Sequence, residues 1–227
     1  MMLDLTPLEI DAVRLSLLVS GCAIAGSLPF GILVAWLLAR RDFPGKILLD
    51  GLVHLPLVLP PVAVGYLLLV TMGRQGWLGG WFYRSFGISF VFSWKGAALA
   101  SAVMAFPLMV RAIRLSFEAV DRGIEAAAAT LGASPFDVFL RVTLPLSFPG
   151  ILAGVILGFA RSLSEFGATI TFAANIPGET RTLPVALYSV TQSAGGDQAA
   201  MRLCLISIVL AFATLIASDL LARRLRH

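Results

Sequence analysis

Arg161 and Glu165 are the residues whose chemistry is hardest to explain as packing. They stand four apart, just after an uncharged run from Val142 to Ala160. An ionisable side chain near the centre of a bilayer costs about 2.5–3.5 kcal/mol on insertion scales. The four-residue spacing puts both on one helix face, where they can pair. Two roles are open to such a pair: a structural ion pair that neutralises itself, or a pathway element in which Arg161 offers a cationic fork to an anion. The same face is expected to continue into Gly167, Thr169 and Thr171, small or hydroxylated residues that suit a polar passage.

Enzymatic chemistry has no matching pattern in the chain. There is no nucleophile–base constellation, no HExxH and no CxxC. There is no GxxxxGK[ST] either, so the chain has no P-loop with which to bind ATP. Active transport would then draw on an ion gradient or on a partner. No metal site is expected: His54 lacks a second ligand at a fixed helical offset, and Cys22 and Cys204 sit inside apolar runs as small buried hydrophobes.

The elements that must hold these residues are membrane helices. Of 227 residues, 58% are hydrophobic and 13% charged, against about 25% charged in soluble domains. A span needs about 20 apolar residues. Five segments meet or approach that length: Leu15–Ala39, Gly51–Met72, Gly96–Val110, Val142–Ala160 and Leu203–Ser218. Thr182–Gly196 is uncharged but short and rich in polar residues. It is expected to be re-entrant or interfacial, a sixth crossing being the alternative. The fold class is therefore all-α integral membrane, a single domain over residues 1–227 with about five spans. The N-terminus starts acidic and lacks the basic region and cleavage site of a signal peptide, so it is expected to stay in the mature chain.

Charge sets the orientation. Basic residues follow span one (Arg40, Arg41, Lys46), span three (Arg111, Arg114, Arg122, Arg141) and span five (Arg223, Arg224, Arg226). The positive-inside rule puts these segments in the cytoplasm, with the N-terminus outside and the C-terminus inside. Arg74, Arg84 and Arg181 run against the bias. The formal net charge of +4 is not gathered into a basic face, which excludes nucleic acid as a partner and leaves membrane lipid.

Two spans carry helix-modifying residues. Pro56, Pro60 and Pro61 bend or break span two, and the freed carbonyls must face protein or a water-filled cavity. The kink either lines a passage or only shapes packing. Gly150, Gly154 and Gly158 recur at every fourth position, giving one helix face to a close neighbour. That neighbour is another helix of the same subunit or a second subunit.

The segment Asp121–Pro145 predicts two short cytoplasmic helices. Asp121 caps the first, which the alanines after Glu125, Ala127 among them, carry to Thr130. Gly132 ends it. Ser134 caps the second, with Pro135 at its first position. Phe136, Phe139 and Leu140 then form an apolar knob that inserts into a partner's groove or packs under the spans.

This segment resembles the EAA loop of permease subunits of ABC importers. That pattern is Glu-Ala-Ala, three residues, Gly, nine residues, then Ile-x-Leu-Pro. Gly132 and Val142-Thr143-Leu144-Pro145 fit its spacing, with Val142 in place of Ile. Glu125 lies seven residues before Gly132 instead of six, a shift that turns a helical side chain by about 100°. The stretches SLPFGILVAWLLARRDFPGK, HLPLVLPPVAVGYLLLV, FPLMVRAIRL and EFGATITFAANIPGETRTLP are similar to the permease subunit of molybdate ABC transporters. Ser164 stands where that family usually has Gly.

The resemblance implies a type I ABC importer permease fold in the bacterial inner membrane. It implies a homodimer, two cytoplasmic ATPase subunits that bind ATP and Mg, and an external binding protein that delivers the oxyanion. Permeases for sulfate, thiosulfate or tungstate make the same physical demands. A secondary transporter or channel would instead predict inverted repeats and a full coupling-ion site, and no repeat is visible. A structural membrane anchor would need neither the broken span nor the charged pair.

Overall fold

Thr6 starts the first helix with a reciprocal cap. Its hydroxyl accepts the Glu9 N–H, and the Glu9 carboxylate accepts the Thr6 N–H at 2.7 Å. Pro7 at the first helical position costs nothing there, since its missing N–H would be unpaired anyway. Helix α1 then runs from Pro7 to Arg40, 34 residues without a break. At 1.5 Å per residue it spans a hydrocarbon core of about 30 Å with turns to spare at both ends. The computed structural model describes residues 6–224. The side chains of Arg223 and Arg224, and all of Arg226, lie outside the described residues.

The second span is two helices. α2 (Lys46–Val58) and α3 (Pro61–Met72) meet at 116°. The predicted kink is a full break. Leu59 and Pro60 are both extended, with ψ of 144° and 133°. A residue before proline is pushed out of the helical region, and two consecutive prolines apply that push twice. Helix α4 (Trp77–Phe86) occupies the following connection.

Helix α5 (Trp94–Ala119) is capped by Ser93 and extends nine residues past the predicted span end at Val110. Arg111 and Arg114 do not stop it. Arg114 donates to Glu118 at 2.8 Å and to Asp50 of α2 at 3.1 Å, so its charge is matched on the helix surface.

After α5 come α6 (Arg122–Thr130), α7 (Pro135–Val138), a π-helical turn (Phe139–Thr143) and α8 (Leu144–Leu146). α9 (Phe148–Leu163) returns through the bundle, bent 67° from the segment before it. α10 (Gly167–Phe172) and α11 (Leu183–Thr191) are short, and α12 (Asp197–Arg224) closes the chain. Nine residues of α11 rise only about 13 Å, well short of the membrane core. Among the described residues, three helices are long and apolar enough to cross a membrane, and two bent pairs raise that number to as many as five if each pair is one span; α11 by itself is too short. Every regular element among the described residues is helical.

α5 is the central helix, packed between α1 and α9. Ile24, Leu38, Met109, Ile113, Phe117 and Ile151 form the core between them. The Gly150, Gly154 and Gly158 stripe is what lets α9 approach. A Cβ at Gly154 would stand 2.8 Å from Ile113, and one at Gly158 2.9 Å from Ile24 of α1. Gly150 abuts Ser116. Of the two neighbours open to the stripe, a helix of the same chain is the one that these contacts show. Cys22 and Cys204 correct the sequence reading as well: both are exposed, not buried.

The bundle has two ends. One carries Arg40, Lys46 and the α6–α8 segment. The other carries Glu9, the α10–α11 turn and the start of α12, where Arg202 pairs with Glu9 at 3.0 Å. Ser16 of α1 accepts the Leu183 N–H at 2.6 Å, which fixes α11 near that second end.

Candidate coupling and translocation sites

The loop-end site begins with two helix caps. Asp121 accepts the Gly123 N–H at 2.7 Å and starts α6. Gly132 ends it in the left-handed region at φ 90°, and the Ala133 N–H bonds back to Ala128. A left-handed residue here suits glycine, which has no Cβ to collide with the carbonyl. Ser134 accepts the Asp137 N–H and donates to the Asp137 carboxylate at 2.6 Å, starting α7. That donated hydrogen bond holds the Asp137 carboxyl below its usual range.

No residue of α6 or α7 is buried. Leu131 is 88% exposed and Phe136 69%, with Ile124 and Leu140 also exposed. Ala127 and Pro145 are exposed, and Leu144 packs on the core below. The predicted knob divides in two. Phe139 turns inward, with its ring 5.6 Å from Trp36 and 6.2 Å from Phe117. Phe136 and Leu140 stay outside, and Leu131 joins the exposed set. Sequence reading missed Leu131, because a leucine between a helix and its glycine terminator looks like helix interior.

Glu125 points toward the bundle. It pairs with Arg40 at 3.1 Å and accepts the Thr143 hydroxyl at 2.6 Å. Arg40 also donates to the Val120 carbonyl at 2.9 Å. Neither Arg40 nor Thr143 is expected from the sequence to be a partner of Glu125: Thr143 stands there only as a spacer position of the loop pattern. The basic run Arg40-Arg41 carried the only signal, and it was read for orientation.

The second candidate site lies in the bundle, where two breaks meet. α9 stops at Leu163 and α10 begins at Gly167, so the face predicted to continue from Arg161 into Thr169 is interrupted. Arg161 and Glu165 pair at 2.6 Å. Glu165, with its side chain 1% exposed, also accepts the Ala168 N–H at 2.8 Å and so starts α10. Its charge is thus held by a guanidinium and a helix N-terminus together. Arg161 is the less buried partner.

α10 packs on α3, across the Pro60–Pro61 break. A Cβ at Gly167 would stand 2.7 Å from Pro61. Pro60 and Pro61 are exposed, beside exposed Val58, Val62 and Tyr66. Thr169 is fully buried and its hydroxyl has no hydrogen-bond partner among the described residues. Interrupted helices at membrane depth are tolerated where the backbone is covered by protein or lines a cavity, and they recur at transport sites. His54 takes no part: its Nδ1 lies 2.9 Å from the Asp50 carbonyl, within its own helix.

The family model for binding-protein-dependent transport system inner membrane components matches residues 27–227. The chain is 63% identical over 219 residues to the molybdenum transport system permease protein ModB of Escherichia coli (strain K12), covering 96% of each chain. It is 35% identical over 220 residues to the sulfate transport system permease protein CysW of Synechocystis, covering 96% of this chain and 78% of that one. Among solved structures, a bacterial ABC transporter that imports the acidic polysaccharide alginate matches 97% of this chain and 80% of its own, with a TM-score of 0.76 at 18% identity. That last likeness concerns the fold alone.

Proposed function

The chain belongs to the binding-protein-dependent transport system inner membrane components, and from that membership we propose that it is the permease subunit of an ATP-driven importer of molybdate. The observation that carries the substrate is the 63% identity, over nearly the full chain, to a molybdenum transport permease, against 35% to a sulfate permease. Two copies of the chain would form the passage. Two cytoplasmic ATPase subunits would bind ATP and Mg, and an external protein would deliver the anion. This chain then binds no cofactor of its own.

In this reading the loop end faces the cytoplasm and the α10–α11 end faces outward, as the placement of Arg40, Arg41, Arg122 and Arg141 supports. The exposed Leu131, Phe136 and Leu140 enter a groove on the ATPase. ATP binding closes the ATPase pair, and the loop carries that motion to the spans. The broken elements α2–α3 and α9–α10 line the passage, with Arg161 the cation nearest it. An anion crossing there needs only transient stabilisation, and a guanidinium already engaged by Glu165 binds weakly enough to release it.

Uptake of labelled molybdate into vesicles that hold the permease, the ATPase and the binding protein tests this. Expected is uptake that needs internal ATP and resists a large excess of sulfate. Competition by sulfate at equal concentration would reassign the substrate. Uptake without ATP would overturn the class.

A further inference from the structure

We propose that Glu125 and Arg40 form the joint through which the loop moves α1, so that Glu125 serves the spans and not the ATPase surface. This rests on the reading of Asp121–Pro145 as the docking segment.

Four elements meet at the joint. Arg40 is the last residue of α1, and one of its terminal nitrogens pairs with the Glu125 carboxylate at 3.1 Å and donates to the Val120 carbonyl, just after α5, at 2.9 Å. Glu125 belongs to α6, and Thr143, in the π-helical turn, donates to the same carboxylate oxygen at 2.6 Å. The Arg40 and Glu125 side chains are 9% and 19% exposed, and Thr143 is buried. A pair so shielded is held against salt and water far better than a surface pair.

Two further facts give the joint its work. α6 buries no residue at all, so Glu125 is its main attachment to the bundle. α1 also has no covalent link to the loop, whose chain neighbours are α5 and α9. Besides its covalent neighbours α5 and α9, which themselves pack on α1, the loop touches α1 directly through the Arg40–Glu125 pair and the Trp36–Phe139 rings. α1 then reaches the far end, where Ser16 holds the start of α11. A cavity of about 340 Å³ lies beside the joint, and the Arg40 Nε atom has no hydrogen-bond partner among the described residues. There is therefore room for the guanidinium to shift as the loop moves. The π turn places Thr143 under Glu125, and such turns often mark functional positions.

The test uses the assembled transporter in vesicles with Arg40→Ala, Glu125→Ala and the double variant. The ATPase subunits should still co-purify with each. Molybdate imported per ATP hydrolysed should fall about tenfold, within the usual range for a coupling energy between sites. The double variant should be no worse than the worse single one, because both remove the same interaction. Losses that multiply in the double variant would overturn the joint, and so would undiminished import per ATP. Loss of ATPase co-purification in Glu125→Ala alone would make Glu125 a docking contact and overturn it too. If an alanine variant fails to insert, Glu125→Gln is read by the same outcomes. A Gly132→Leu variant separates the underlying reading. Retained ATPase association there would sink the docking segment, whatever Glu125 does.

Discussion

Glu165 is the residue on which the membrane chemistry turns. It is buried, yet it receives a guanidinium and a backbone N–H, so its charge is matched within the chain. Removing Arg161 alone would leave that charge unpaired, a loss of about 3–5 kcal/mol for a buried pair. The single variant therefore confounds structure with transport. The double variant Arg161→Met with Glu165→Gln does not, because it removes both charges while the Gln carbonyl can still accept the Ala168 N–H that starts α10. If Arg161 serves the passage, the double variant should assemble with normal thermal stability and import molybdate at least tenfold more slowly. Normal import by the double variant would leave the pair a purely structural device.

At the scale of elements, the caps and terminators were legible in the sequence. Asp121, Gly132, Ser134 and Pro135 each have a side chain or backbone demand that acts within four residues, and the structure places each where that demand predicts. What was hidden depended on contacts distant in sequence. Nothing local to Glu125 announces that Arg40 lies beside it, and nothing local to Phe139 announces Trp36 and Phe117. The span-two prolines were legible as a disturbance, but the size of the bend came from the extended Leu59–Pro60 backbone and from the seat that α10 offers α3. That seat yields a prediction. Replacing Pro60 and Pro61 together with Ala should favour a continuous helix, since each internal proline costs about 3 kcal/mol in a helix. α3 would then leave α10. Import should be abolished while the ATPase stays bound, and retained import would show that the break does not shape the passage.

For the whole molecule, the arrangement divides labour between its two ends. The loop end exposes large apolar side chains, several of them on or beside α6 and α7, which bury no residue of their own, an uncommon arrangement that marks an interaction surface. The other end ties short elements together, through Glu9 to Arg202, Ser16 to Leu183, and Arg181 through Asn175 to Ser189. α5, with α1 and α9 packed on either side of it, connects the two. The central claim is that the exposed loop residues, and not their inward neighbours, enter the ATPase. Single cysteines at 136 and 139, in a chain whose Cys22 and Cys204 are replaced by Ser, test it by crosslinking to the ATPase in the assembled transporter. The account predicts an efficient crosslink from position 136 and almost none from position 139. Equal crosslinking from both, or none from 136, would contradict it.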